Sequence, residues 1–337
     1  MAKPLKILAI QFKSLGDTVL VIPALEAIRQ QFPDCELHAF VSEGAAALLH
    51  GQPCLTRVWS VPRVHGKTKF RENWPVIRAL RAERFDRSVD FGGNDRGALL
   101  SFLCGAKQRL GIERPKFLVR HLYFNQLMPS QPVRQSEAWR SMALLTPWGI
   151  TPRVPEEIKV YADPALEAEA AKLLPDGAIV CHVGAGMSRK QWPLAGWEAF
   201  GKMAMAAGYK LVFTPGAIAR EKVEMAELRK RLPEAGILPE TMSVALFLAV
   251  LKHARALVTS DTGPMHFAAA LGTPIVAMFG PSNLARWAPV ARKKRILTGS
   301  ACDCEPSLHD CVRANPCMAG ILPEQVLKNL QDILKVA

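Results

Sequence analysis

The chain has no long apolar run. Its longest, Val244 to Leu251, falls well short of the roughly 18 residues a helix needs to cross a bilayer, so no membrane-spanning helix is expected. Near the amino terminus a four-residue apolar stretch, Ile7 to Ile10, is too short for the core of a secretory signal. A cytoplasmic chain follows from this, and its eight cysteines are expected mostly as thiols. Internal repeats and low-complexity tracts are absent, which excludes solenoid and linker-like architectures. Zinc-finger spacing, an aromatic RNA-reading strand and a long basic helix are also missing. Despite a net charge of +13, nucleic acid is therefore not the expected partner.

The chain does have length and alternation. At roughly 100 to 200 residues per domain, 337 residues suggest two, and 49% hydrophobic content suffices for two cores. Strand patterns alternate with helical ones on both sides of the middle, which predicts parallel sheets in an α/β chain. The junction is placed in the stretch punctuated by Pro147, Pro152, Pro155 and Pro164. The domains are then 1–160 and 161–320, with a terminal helix in 321–337.

Three strand-to-helix turns are candidates for chemistry. Ala256-Leu257-Val258 reads as a buried strand, followed by Ser260-Asp261-Thr262-Gly263-Pro264-Met265-His266. Thr262 and Gly263 suit a turn and Pro264 the first helical position, so the unpaired amides and positive dipole end of a helix point outward, where a diphosphate would fit. Earlier, Ala178 to Val183 reads as a strand ending in Gly184-Ala185-Gly186, with Ser188, Lys190, Trp192 and Pro193 beyond. A small-residue loop admits an anion, and a lysine supplies a point charge for phosphate. No third glycine completes a dinucleotide fingerprint. Near the amino terminus, Lys6 to Ile10 runs into Ser14-Leu15-Gly16-Asp17 and an apolar helix. Asp17 is either a helix cap, worth about 1 kcal/mol, or a chemical carboxylate where open sheets keep their sites. His182 is read as a strand histidine rather than a ligand.

Taken in order, these stretches resemble glycosyltransferase family 9, the heptosyltransferases that build the inner core of lipopolysaccharide, nearly end to end. The first pattern is Ser14 to Asp17 with Ile22-Pro23-Ala24-Leu25. The second is Gly184 to Gly186 with Lys190-Gln191-Trp192-Pro193. The third is Asp261 to His266, Ala268-Ala269, Gly272-Thr273-Pro274 and Phe279-Gly280-Pro281. The resemblance implies a GT-B fold, with two doubly wound Rossmann-like domains facing across a cleft, the acceptor on the first and a nucleotide-sugar on the second. It also implies that the terminal helix packs back toward the first domain.

By the same resemblance, Asp17 is the general base of an inverting transfer, and Lys190 with Thr262, Gly263 and His266 receives the leaving diphosphate. Ser188 lies in the donor loop. Asp261 either holds the turn or binds the donor sugar's hydroxyls. Glu221, matched only across a gap, would bind ribose, and Met242 would lie near adenine. No cofactor or metal is implied, and the chain contains no Asp-x-Asp pair of the kind that metal-dependent transferases use. ADP-heptose is the family's best-known donor, although the three patterns do not single out a donor sugar. A GT-B sugar epimerase, or a non-catalytic nucleotide-sugar binder, would share them.

Charge is uneven. Residues 1–160 hold 23 Lys and Arg against 14 Asp and Glu, a net of +9, concentrated around Arg63, Lys67, Lys69 and Arg71, the helix-spaced Arg78, Arg81 and Arg84, and Lys107, Arg109, Arg114, Lys116 and Arg120. Such a surface suits an anionic partner. With the resemblance, that partner becomes an anionic lipid-linked acceptor, the lipopolysaccharide inner core, met peripherally at the cytoplasmic face of the inner membrane. A solvated basic face is the plainer alternative. Cys302, Cys304, Cys311 and Cys317 fall within sixteen residues at gaps of one, six and five. That spacing is not a paired zinc pattern; it reads first as local structure, then as a zinc or disulfide site, and last as catalysis.

Overall fold

The computed structural model describes residues 3–62, 70–114, 120–132, 134–216, 218–302, 310–311 and 317–336. Arg63, Lys67, Lys69, Lys116 and Cys304 lie outside them, as does the side chain of Arg71. The chain divides into two units, residues 1–155 and 156–337, within the proline-punctuated stretch.

The first unit is a parallel six-stranded sheet in the order β3-β2-β1-β4-β5-β6. Its strands are β1 (Lys6–Gln11), β2 (Glu36–Ser42), β3 (Arg57–Val61), β4 (Arg87–Asp90), β5 (Gln108–Ile112) and β6 (Gln126–Met128). Its helices are α1 (Leu15–Gln31), α2 (Glu43–Ala46), α3 (Phe70–Ala82), α4 (Asp95–Leu103), α5 (Arg120–Tyr123) and α6 (Glu137–Ala143). β1 is buried on both faces, as a central parallel strand must be, with Ile7, Leu8 and Ile10 fully inaccessible. Leu8, Ile10, Phe40 and Val61 meet Ile77 and Leu80 of α3 and Leu100 of α4 on one side. α1 and α6 pack against each other.

The second unit repeats the plan in the order β12-β11-β10-β7-β8-β9, again parallel. Its strands are β7 (Ile179–His182), β8 (Leu211–Thr214), β9 (Gly236–Ile237), β10 (Ala256–Ser260), β11 (Ile275–Phe279) and β12 (Lys294–Thr298). Its helices are α7 (Glu167–Leu173), α8 (Leu194–Ala206), α9 (Ala219–Arg231), α10 (Val244–His253), α11 (Gly263–Leu271), α12 (Leu284–Trp287) and α13 (Pro323–Val336). The paired doubly wound α/β units are those a GT-B fold requires.

An aromatic cluster anchors the second core. Trp192 and Trp197 meet edge to face with centroids 5.1 Å apart, and Trp197 meets Phe213 at 6.1 Å. Val326, Leu330 and Ile333 of α13, at helical spacing, bury in this same core. The apolar stripe of this helix is thus part of the second unit's own core. The lead into α13 is held there as well, because the buried Trp192 Nε1 donates to the Ile321 carbonyl at 3.0 Å.

Trp197 Nε1, by contrast, is buried with no hydrogen-bond partner among the described residues. Replacing either tryptophan by phenylalanine removes the same volume, but only Trp192→Phe orphans a carbonyl. Trp192→Phe should therefore destabilise the protein by about 1–3 kcal/mol more than Trp197→Phe, as urea unfolding of the two variants will measure.

Candidate active site

In each sheet the order reverses at one place, and the loops leaving the two strands there lead to opposite sides. Ligands of open α/β sheets bind at this point. In the second unit the two strands are β10 and β7, paired in register from Ala256↔Ile179 to Thr259↔His182. Gly184 to Pro193 of the second sequence pattern follow β7 and Asp261 to His266 of the third follow β10, while Phe279-Gly280-Pro281 closes the neighbouring β11.

Beyond β10, Thr262 is the N-cap of α11, in extended conformation (φ −152°), and its side chain makes no cap hydrogen bond. The first-turn amides are therefore not engaged by that hydroxyl, and Pro264 contributes no donor. His266 is buried in this turn. Beyond β7, a short turn at Ser188–Lys190 brings the Lys190 ammonium across to β10's loop, where Nζ stands 2.8 Å from Asp261 Oδ2. Asp261 is buried and Lys190 partly exposed. Asp261 thus has a contact that neither of its expected roles included: it holds a lysine beside the positive end of a helix. The lysine, already paired with Asp261, thus stands close to the positive end of a helix, and both favour negative charge there. Ser188 turns elsewhere, its hydroxyl donating to Asp310.

The glycine loop works differently from its expected use. A Cβ on Gly184 would stand 2.7 Å from the Gly216 backbone and 3.0 Å from the Glu221 carboxyl carbon, and one on Gly216 would stand 1.8 Å from Glu221 Oε2. Gly184 is therefore small to admit a carboxylate of its own chain, while Gly186 has open space around it. Glu221, in the first turn of α9, accepts from the Ile218 amide at 3.3 Å. Burial pushes its pKa up, against the lowering effect of amides from Ile218 and Ala185. Met242 is half-buried on the segment between β9 and α10. His182 is buried at the end of β7 as expected, but its Nδ1 has no hydrogen-bond partner among the described residues.

In the first unit β1 and β4 flank the reversal, with Ile10 opposite Asp90. Asp17 is the third residue of α1, and its Oδ2 accepts from the Ser14 amide at 3.3 Å and from the Ser14 hydroxyl. The cap position that the plainer reading gave Asp17 belongs to Ser14, and one oxygen of Asp17 instead completes the capping box from the third helical position. The other, Oδ1, is buried and has no partner among the described residues. The structural and chemical roles are divided between two atoms of one carboxylate.

Sequence reasoning missed the charges around it. Asp90, wholly buried at the end of β4, accepts from the Gly92 amide at 3.0 Å and lies 3.5 Å from Arg120. Burial pushes Asp90 up to about 6 even with that guanidinium beside it. Arg120, counted among surface charges from sequence, is 1% exposed, because it follows Asp90 inside and stacks 5.0 Å from the Phe124 ring. A Cβ on Gly97 would stand 2.3 Å from Asp90 Oδ1. Asn94 joins the two loops by donating to the Phe12 carbonyl at 2.9 Å, and Lys13 pairs with the buried Glu137 at 3.1 Å. The clue was in plain view: Val89-Asp90-Phe91-Gly92 repeats the strand, carboxylate and glycine order of Ser260-Asp261-Thr262-Gly263.

Cys302, Cys311 and Cys317 form no disulfide among the described residues, and burial, with Cys302 nearby, pushes Cys317 up to about 11. Among the described residues no group of three or more His, Cys, Asp or Glu is arranged to hold a metal ion. Nor is any helix among them long and apolar enough to cross a membrane.

The sequence model described as glycosyltransferase family 9 (heptosyltransferase) matches residues 74–317. Lipopolysaccharide heptosyltransferase 1 of Pseudomonas aeruginosa is 26% identical, with 98% of each chain covered. Among solved structures, a glycosyl transferase of family 9 from Veillonella parvula aligns with a TM-score of 0.83 at 18% identity, covering 99% of this chain and 98% of that one. The Escherichia coli heptosyltransferase WaaC with ADP aligns at 0.75 and 18%, covering 98% and 100%. These neighbours share the GT-B fold.

The buried histidine gives the second unit a pH dependence. Burial lowers His182 to about 4, below its ordinary 6.5. Above pH 6.5 the ring is neutral in both folded and unfolded chains, and its contribution to stability is whole. As pH falls from 6.5 to 4 the unfolded chain takes up a proton that the folded one refuses, and about 3 kcal/mol is lost. His182→Gln should flatten that acid slope, as urea unfolding across the interval will show.

Proposed function

The chain belongs to glycosyltransferase family 9, the heptosyltransferase family, and from that premise we propose that it transfers heptose from ADP-heptose to the lipopolysaccharide inner core, with inversion and without a metal ion. Lys190, held at the start of a helix by Asp261, carries this proposal. An acceptor hydroxyl attacks the anomeric carbon from the side opposite the nucleotide and gives its proton to Asp17 Oδ1, the oxygen not engaged in capping. The bond from the anomeric carbon to the diphosphate oxygen breaks, and the ADP diphosphate leaves with its growing charge toward the first turn of α11 and the Lys190 ammonium. Lys190 exchanges Asp261 for phosphate as the donor binds, which frees the Asp261 carboxylate for the sugar's hydroxyls. Glu221 takes the ribose and Met242 the adenine side. The positive charge that a divalent cation gives other transferases comes here from the lysine and the helix.

The acceptor is lipid-linked and anionic, which places the enzyme at the cytoplasmic face of the inner membrane. A WaaC structure with ADP-2-deoxy-2-fluoro heptose supports the choice of donor, as does the relative named for lipopolysaccharide.

Asp17→Asn keeps an oxygen that can accept from Ser14 but cannot take a proton. Turnover should fall roughly a hundredfold or more, with folding and nucleotide binding intact; near-normal turnover would remove Asp17 from the chemistry. Lys190→Ala should weaken ADP binding as well as rate, and calorimetric titration that finds ADP affinity unchanged would count against the lysine's role. Of ADP-heptose, ADP, UDP and GDP, the adenine compounds should raise the melting temperature most. Incubating ADP-heptose without acceptor separates transfer from epimerisation, since only an epimerase would release an altered sugar nucleotide.

A further inference from the structure

The large apolar side chains exposed on the described part of the first unit are Trp74, Phe102 and Leu122, and all three stand on one helical layer. α3, α4 and α5 connect β3 to β4, β4 to β5 and β5 to β6. The first returns across the sheet and the next two continue in the same direction, so right-handed crossovers put all three on one face. Inward, this layer supplies Ile77, Leu80 and Leu100 to the core. Outward, it exposes Trp74 at 47%, Phe102 at 46% and Leu122 at 70%.

Scattered exposed apolar residues are ordinary, but these have a common setting. Trp74, Arg78 and Arg81 follow one another at helical spacing on the exposed side of α3. Arg81 Nη1 reaches the Leu103 carbonyl at 3.4 Å, which brings this row to the end of α4 beside Phe102. The Phe102 ring meets Tyr123 of α5 at 5.8 Å, and the Arg109 guanidinium lies 5.6 Å above Phe102. Arg84 completes the row in left-handed backbone (φ 57°), a place where glycine or asparagine is usual. Of the acidic neighbours, Glu83 is engaged by Lys6 at 2.7 Å and Asp86 by Lys107 at 2.9 Å, and the exposed Asp95 lies at the other end of α4 from Phe102. The face therefore presents apolar points among arginines.

We propose that the outer face of α3, α4 and α5 docks on an anionic phospholipid surface, with Trp74, Phe102 and Leu122 entering the headgroup layer and Arg78, Arg81 and Arg84 meeting lipid phosphates. A protein partner would need carboxylates matched to each arginine. A fluid leaflet supplies phosphates wherever the guanidiniums fall, and amphipathic aromatic and arginine side chains favour that boundary. The inference deepens the proposal of a lipid-linked acceptor by naming the surface that meets the membrane.

Vesicle co-sedimentation without donor or acceptor tests it, using phosphatidylcholine alone and phosphatidylcholine with phosphatidylglycerol. The wild type should bind the anionic vesicles and hardly the neutral ones. Arg78→Glu with Arg81→Glu should weaken that binding at least roughly thirtyfold, from about fivefold for each cationic side chain near the surface. Phe102→Ser with Leu122→Ser should weaken it too. Both double variants should keep the wild-type melting shift with ADP, which shows them folded and makes the vesicle result independent of the transfer chemistry. Failure of the wild type to bind anionic vesicles, or binding undiminished in the folded variants, would overturn the proposal. So would sedimentation velocity showing that the Phe102 and Leu122 changes dissolve a dimer while vesicle binding persists.

Discussion

A parallel sheet built outward in both directions from its first strand has one pair of neighbouring strands whose outgoing loops part company. In this protein that constraint operates twice, between β1 and β4 and between β7 and β10. The diverging loops leave a crevice between them, and polar side chains and helix starts line it. Asp90, Asn94, Asp17, Glu221, Asp261 and Lys190 all stand at these two places. The chemistry of the molecule follows from where its sheets change direction.

A second regularity is the double use of carboxylates. Asp17 caps a helix with one oxygen and leaves the other without a partner. Asp261 restrains a lysine, and Glu221 holds the turn into α9 while filling a notch between two glycines. Each arrangement fixes a side chain in advance, so less reorganisation would remain in the proposed transfer. Asp90 differs. It is buried with Arg120 and near neutrality in its titration, and its contacts are to the loop that Asn94 ties to the backbone ahead of Asp17. Its part is to hold the geometry from behind.

Much of this was legible in the chain. The two α/β units, the strands before each glycine turn and the helix beginning at Gly263 follow from apolar alternation and from Gly and Pro at turn positions, signals that act over a few residues. The partner of Asp261 was not legible, since Lys190 lies 71 residues away and meets it only because β7 and β10 pair. Arg120 was misplaced among surface charges for the same reason, as nothing near it in the sequence announces Asp90. The unusual smallness at Gly184 was read as room for an anion, when the group beside it is Glu221, carried in from another helix.

Local sequence by itself determined the elements and their kind, because propensity, periodicity and turn chemistry are properties of short segments. It also determined which side chains could bear chemistry, through three ordered patterns of residue type. Only the tertiary structure decided which charges face one another, which oxygen of Asp17 is engaged, and that Trp74, Phe102 and Leu122 stand on the same side of the first sheet. Such contacts join residues tens of positions apart, and their geometry is set by strand order and crossover hand, which no single segment encodes.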